Sequence, residues 1–144
     1  MSTIKQLSVF VENKPGKLGE FTKLLSENNI DMRALSIAET PDFGILRLIV
    51  DDPYKTTCVL KDADYIFSIT PVIAVAIPDE PGSLSKIVNI LGDADINVEY
   101  TYAFITRNRD LAYMIFRVQD NDKAIEVLSK NGFKLVRDNE LYDL

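Results

Sequence analysis

Two glycines in this 144-residue chain each follow a proline, between an apolar alternating segment and a helical one. Gly16 lies in "ENKPGKLGEF" and Gly82 in "PDEPGSLSKI". Because glycine has no side chain, a ligand can approach its backbone closely, and the free N–H groups of a helix's first turn favour an anion such as a carboxylate. Asn13 and Asp79, three residues before the glycines, can bind a zwitterion or its ammonium group. The pattern predicts a turn that binds the carboxylate and ammonium groups that all amino acids share.

The same turns also have a purely structural interpretation. Glycine permits the left-handed backbone conformation that a tight strand-to-helix turn requires, and the preceding proline stiffens the loop. The motif alone leaves both interpretations open.

Composition excludes several kinds of chemistry. The chain has no histidine, which excludes His bases, His-containing triads and His-ligated metals. Its single cysteine, Cys58, excludes cysteine-cluster metal sites and an internal disulfide. We therefore expect no catalytic residue, no metal site and no cofactor, although chemistry by paired carboxylates stays open as an alternative.

Net charge and hydropathy indicate which binding partners are disfavoured and in which compartment the protein is expected. A formal net charge of −6 disfavours binding to nucleic acid and to anionic membranes. No apolar run is long enough to span a membrane, and the N-terminus has no apolar secretory leader. These features predict a cytoplasmic protein.

Hydrophobic periodicity predicts the same elements twice. An alternation typical of a half-buried strand occurs at Leu7, Val9 and Val11, and again 66 residues later at Ile73, Val75 and Ile77. After each glycine, apolar residues recur at helical spacing. They are Leu18, Phe21, Leu24 and Leu25 in the first copy, and Leu84, Ile87, Ile90 and Leu91 in the second.

Each copy continues with two strands, a helix and a last strand. Asp52-Pro53 is typical of a helix start, and Asn131-Gly132 of a helix end. The order β-α-β-β-α-β predicts two tandem ferredoxin-like α+β units, with antiparallel sheets and helices on one face. We expect one unit at 1–70 and one at 71–144, with Thr70-Pro71 separating the last strand of the first from the first strand of the second.

An aromatic segment distinguishes the second copy. In "VEYTYAF", strict alternation would place Val98, Tyr100, Tyr102 and Phe104 on one face of a strand. Such a row is typical of a core, and a chain–chain contact or a ligand-pocket wall are the alternatives.

The repeated strand and turn, "ENKPGKL" and "PDEPGSL", with "NNIDM" and "ADINVEY" opening the next strands, resemble the ACT domain family, here as a tandem pair. The resemblance implies a regulatory module that binds an amino acid between two ACT units. In that family the first loop contacts the ligand backbone, and the start of strand 2 of a neighbour closes the site. The implied loop residues are Asn13, Lys14, Gly16, Lys17 and Leu18, and Asp79, Glu80, Gly82, Ser83 and Leu84. The implied strand residues are Ile30, Asp31 and Met32, and Ile96, Asn97 and Val98.

The resemblance implies a function without catalysis. We expect a stand-alone tandem ACT sensor that binds an L-amino acid and acts allosterically on a partner such as a metabolic enzyme. A unit of about 70 residues is marginal by itself, so each half is expected to pack on the other or on another chain. Because ACT units pair, a homodimer with its ligand sites near the chain–chain interface is predicted. A regulatory subunit of an amino-acid biosynthetic enzyme and a structural dimer without a ligand are the alternatives.

Overall fold

The computed structural model describes residues 3–107 and 109–143, which divide into two compact units. The N-terminal unit is Lys5–Thr70, and the C-terminal unit comprises the residues from Pro71 onwards together with Thr3 and Ile4. The first elements are β1 (Ile4–Glu12), α1 (Lys17–Glu27), β2 (Met32–Glu39), β3 (Phe43–Val50), α2 (Pro53–Asp62) and β4 (Phe67–Pro78). They are followed by α3 (Ser83–Asp93), β5 (Val98–Phe104), β6 (Leu111–Val118), α4 (Asn121–Lys130), β7 (Lys134–Leu135) and a 3₁₀ turn (Asp138–Asp143).

Each unit combines an antiparallel sheet with two helices. In the N-terminal unit, β3 pairs antiparallel with β1 on one side and with β2 on the other. The Phe10 N–H donates to the Ile66 carbonyl over 3.0 Å, which places the chain that enters β4 beside β1. In the C-terminal unit, β6 pairs antiparallel with β4 and β5, and β7 pairs with β4. The predicted α+β composition and antiparallel pairing are confirmed.

The strand boundary between the two copies differs from the prediction. The expected break at Thr70-Pro71 is absent, because β4 runs unbroken from Phe67 to Pro78. Proline fixes φ at a value that an extended strand tolerates, and it removes only one backbone donor. The carbonyl of Pro71 still accepts a hydrogen bond, from the Asn121 side-chain amide at 3.3 Å.

The periodic residues form the core in each unit. Leu7 and Val9 of β1 are fully buried and contact Phe21 and Leu25 of α1, and Leu60 of α2 joins the same cluster. Both helices therefore cover the same face of the sheet. The C-terminal unit has the equivalent cluster, formed by the alternating residues of β4 with the inner faces of α3 and α4.

The local signals at the helix ends are confirmed. The Asp52 carboxylate accepts from the Lys55 N–H at 3.0 Å, and Pro53 is the first residue of α2. At the end of α4, Asn131 is the C-cap and Gly132 follows with a φ of +83°.

The expectation that four residues of β5 share one face is wrong for one of them. The register against β6 shifts between Val98 and Tyr100, so a bulge lies at Glu99. Val98 consequently packs against the helix-side core. Tyr102 pairs with Ile115, whose neighbours Met114 and Phe116 are the ones that contact that core. A matching irregularity lies between Met32 and Ala34 in β2.

Tyr65 contacts the core of the N-terminal unit with its ring. The ring lies edge-on to Phe21, with 5.3 Å between centroids. Burial, followed by the nearby negative charge of Glu20, raises the pKa of Tyr65 above its usual 10.0. The folded state therefore holds this proton more tightly than the unfolded chain does.

This shift predicts a loss of stability in alkaline solution. The contribution of Tyr65 is complete below its unfolded pKa and disappears as the pH rises through the higher folded pKa. Urea unfolding from about pH 9 to about pH 11 should show a smaller loss in Tyr65→Phe than in the wild type. Tyr54→Phe is the control, because that side chain is exposed. Equal losses in the wild type and Tyr65→Phe would contradict the prediction.

Candidate functional site

Gly16 forms the predicted tight turn at the start of α1. Its φ is +85°, in the left-handed region, and its carbonyl accepts the first helical hydrogen bond from the Glu20 N–H at 3.0 Å. No side chain caps this helix start. A Cβ added to Gly16 would meet no atom within 4 Å. The turn is therefore bare and open.

Gly82 has the same geometry in the C-terminal unit. Its φ is +91°, its carbonyl accepts from the Lys86 N–H at 3.0 Å, and no side chain caps α3. Space around it is equally open. The predicted glycine turns are thus confirmed in both copies.

Each turn leaves backbone donors exposed for a ligand. Among the backbone hydrogen bonds of the described residues, none has the N–H of Leu18 or Gly19 as its donor, and the same holds for Leu84 and Ser85. Such groups at the positive end of the helix dipole can bind a carboxylate. Both turns therefore have the unused backbone donors that the predicted carboxylate binding requires.

A cavity of about 270 Å³ lies beside the first turn. We call it the loop cavity. Its floor is apolar and its rim is polar. Its lining consists of Val11, Leu18, Ile37, Gly44 and Leu46, with Glu12, Asn13, Lys14 and Glu39 around them. Three of the residues predicted from the sequence, Asn13, Lys14 and Leu18, are thereby brought together.

Two rim side chains are held by neighbouring groups. The Asn13 side-chain amide donates to the Thr40 carbonyl at 3.0 Å, and this leaves its oxygen as an acceptor. The Lys14 ammonium lies 3.0 Å from the Glu12 carboxylate. That hydrogen bond, with the charges of Lys14 and Lys17, lowers the pKa of Glu12. The rim therefore carries ionised groups of both signs at neutral pH.

Sequence reasoning missed the contribution of the β2–β3 hairpin to this cavity. Val11 pairs with Gly44, and Gly44 pairs with Glu39. The end of β1 and the end of β2 therefore lie on either side of the start of β3. An explicit alignment of the two strands of the predicted hairpin could have found Ile37, Glu39 and Gly44.

The residues at the start of strand 2 lie at the other end of the sheet. Met32 pairs with Val50, whereas Glu39 pairs with Gly44 beside the loop cavity. The structure therefore does not bring the two predicted sets together within the unit. The side chain of Ile30 is buried in the core, so only its backbone is available to a ligand.

Neighbouring groups at this strand start are already engaged. The Asp31 N–H donates to the Asp51 carboxylate at 3.0 Å, and the Arg33 guanidinium donates to the Asp31 carboxylate at 3.3 Å. In the C-terminal unit, Ile96 is likewise buried, Asn97 is exposed and Val98 is half-buried.

The second predicted loop has a different polar rim. Asp79 and Glu80 replace Asn13 and Lys14 of the first loop, so carboxylates stand where an amide and an ammonium stand. The Asp79 N–H donates to the Asp110 carbonyl at 3.0 Å, as the Asn13 N–H does to the Asp42 carbonyl at 3.1 Å. The two loops therefore make equivalent backbone hydrogen bonds, but the side chains at their rims differ in charge.

No group of three or more His, Cys, Asp or Glu side chains in residues 3–107 and 109–143 is arranged to hold a metal ion. Over the same residues, no helix has both the length and the apolar character needed to cross a membrane.

Comparisons with known proteins agree with this architecture. The model of a family described as ACT domain pair matches residues 2–144. A Bacteroides thetaiotaomicron protein of known crystal structure is 42% identical, with a TM-score of 0.91, over 99% of this chain and 98% of its own. No curated protein matches the sequence.

Two further solved structures are similar in fold at low identity. The ligand-free regulatory subunit of aspartate kinase from Thermus thermophilus is 13% identical, with a TM-score of 0.61, over 88% of this chain and 91% of its own. The corresponding subunit from Thermus flavus is 12% identical, with a TM-score of 0.57, over 88% and 90%. At these identities the likeness concerns the fold alone.

Proposed function

The chain belongs to the family of ACT domain pairs, and on this basis we propose that it binds an L-amino acid and regulates a partner without catalysis of its own. The observation that carries the proposal is the bare turn at Gly16, with its unused N–H groups beside the loop cavity. A similar turn recurs at Gly82, so the device belongs to both copies.

The contacts that an amino acid would make follow from the loop cavity. The carboxylate would accept from the N–H groups of Leu18 and Gly19. The ammonium would donate to the side-chain oxygen of Asn13 and to the carboxylate of Glu39. The side chain would lie on the apolar floor, where burial of apolar surface is favourable.

We assign the predicted ligand-binding residues to two parts of the site. Asn13, Lys14, Gly16, Lys17 and Leu18 form the loop part, and Asp79, Glu80, Gly82, Ser83 and Leu84 are its counterpart in the second copy. The strand starts, Ile30 and Met32 with Ile96, Asn97 and Val98, lie too far along the sheet to reach the loop of their own unit. They would instead serve a loop of a second copy of the chain in a homodimer.

Each unit would correspond to one ACT domain, at 1–70 and 71–144. The pairing of β3 with both β1 and β2, and of β6 with both β4 and β5, supports a ferredoxin-like order in each. Binding would favour one arrangement of the ACT domains over another and shift the activity of a partner enzyme by shifting populations. Regulatory subunits of aspartate kinase are among the structures of similar fold.

Calorimetric titration with the twenty amino acids tests the proposal. At least one amino acid should bind, and Gly44→Ala should weaken that binding about tenfold, which corresponds to about 1.4 kcal/mol. The added methyl would lie 3.5 Å from Ile37 and 3.7 Å from the Val11 carbonyl, inside the cavity but without a clash. Gly92→Ala, where a Cβ meets nothing within 4 Å, is the control and should bind as the wild type does. No heat from any amino acid, with folded protein, would refute amino-acid sensing.

A further inference from the structure

The N-terminal unit has a second cavity, and the C-terminal unit has a cavity at the equivalent position. Each is bounded by the end of the first strand, the first helical turn, and the turn that leads from the second helix into the last strand. The N-terminal cavity measures about 350 Å³ and the C-terminal one about 540 Å³. We call the second one the C-terminal groove. Lys17, Glu20 and Tyr65 of the first correspond to Ser83, Lys86 and Phe133 of the groove.

The two cavities differ in the charge of their linings. Three carboxylates and one ammonium line the N-terminal cavity: Glu12, Glu20, Asp64 and Lys17. Two ammonium groups and one carboxylate line the C-terminal groove: Lys86, Lys134 and Glu80. Only the groove is therefore electrostatically suited to an anion.

Lys86 supplies the cationic character of the groove. Its ammonium lies 5.8 Å from the centroid of the Phe133 ring, over the ring face. Among the ion pairs of the described residues, none includes Lys86, whereas Lys17 in the other cavity is 3.5 Å from Glu20. The ammonium of Lys134 forms an ion pair with the Glu140 carboxylate at 3.5 Å. An incoming anion can pair with Lys86 without displacing a carboxylate.

The walls of the groove are largely apolar. Phe133, Leu111 and Ala76 are half-buried there, and two prolines, Pro78 and Pro81, complete the lining on the loop side. These groups offer apolar surface to a flat or compact ligand body. The groove therefore combines an apolar wall with a cationic rim.

The groove is distinct from the loop cavity, although it shares Glu80, Gly82 and Ser83 with the second-copy counterpart of the loop part. The positions that correspond to Leu18 and Leu46 of the loop cavity are Leu84 and Met114, and neither lines the groove. An amino acid would also bring its ammonium group towards Lys86 and Lys134, which repel it. The preferred ligand is thus an acid that lacks an amino group.

We propose that the C-terminal groove binds a small organic acid without an amino group, with its carboxylate on Lys86 and its apolar body on Phe133. The full chain would have two ligand classes at two places. An amino acid would bind at the Gly16 turn, and a non-amino acid would bind in the groove beside Gly82.

NMR titration of the full chain with benzoate, benzamide and inorganic phosphate tests this proposal. Benzoate should shift the amide signals of Ser83, Gly132 and Phe133 and saturate, and neutral benzamide should bind at least about fivefold more weakly. Lys86→Gln should weaken benzoate binding by about fivefold, whereas Lys23→Gln, at another exposed lysine, should leave it unchanged.

Three results would overturn the proposal. Benzamide binding as tightly as benzoate would exclude a role for the charge. Phosphate binding at the same signals as tightly as benzoate would exclude a role for the apolar wall. Absence of shifts at these three residues would exclude the groove itself. Binding of an amino acid at the Gly16 turn would not change these outcomes, because its shifts would centre on Leu18 and Gly19.

Discussion

Gly16→Val is expected to abolish amino-acid binding at the first turn while the protein stays folded. A valine at a φ of +85° is strained, and the left-handed conformation costs a non-glycine residue about 1–2 kcal/mol or more. Its side chain would occupy the open space through which a carboxylate approaches the N–H groups of Leu18 and Gly19. Each charge-assisted hydrogen bond is worth about 1.5–3 kcal/mol, so the loss of two should weaken binding at least about a hundredfold.

A matched control separates the backbone strain of a valine at positive φ from the obstruction of the ligand's path. Gly132 also has a positive φ, +83°, and a Cβ there meets nothing within 4 Å, but it lies outside the Gly16 turn and the loop cavity. Gly132→Val should therefore lose similar stability in urea unfolding and keep its calorimetric affinity. Equal affinity in Gly16→Val and the wild type would show that the turn is only structural.

Phe21→Ala is expected to unfold much of the N-terminal unit. The Phe21 side chain is fully buried among Leu25, Val9 and the edge of Tyr65. Removing such a ring leaves a cavity and costs about 3–5 kcal/mol. A unit of this size is only marginally stable, so this cost is a large part of its free energy of unfolding.

Urea unfolding followed by circular dichroism measures the effect. Lys23→Ala, two residues along the same helix, is the control, because Lys23 is exposed and its ion pair with Glu27 spans 3.8 Å. A change below about 1 kcal/mol in Phe21→Ala would contradict the core assignment.

Much of the fold was predictable because local and tertiary signals agree. The alternation in β1 and the helical spacing of Phe21 and Leu25 already identify the residues that are buried. The Asp52-Pro53 start of α2 follows from cap chemistry alone. Both signals depend on residue types within a few positions of each other, which a sequence displays directly.

Features that depend on pairing across the sheet were not predictable in the same way. The bulge at Glu99 redirects Val98, because one extra residue in a strand reverses the face of those before it. The proline at position 71 predicts a break between two strands, although a strand can accommodate it.

The candidate site was only partly predictable for the same reason. Its glycine turn is a local motif, and the sequence displays it twice. The floor of the loop cavity depends on how three strands align at Gly44, a residue that no motif singles out. The volume left by its missing side chain becomes visible only when Ile37 and Val11 are placed around it.

The strand irregularities at Arg33 and Glu99 occupy equivalent positions in the two copies. The two residues carry opposite charges, so the charge of their side chains does not explain the shared irregularity. A shared backbone defect beneath divergent side chains is what inheritance from one ancestral gene leaves behind. Descent of the two copies from one duplicated unit therefore accounts for the shared register shift.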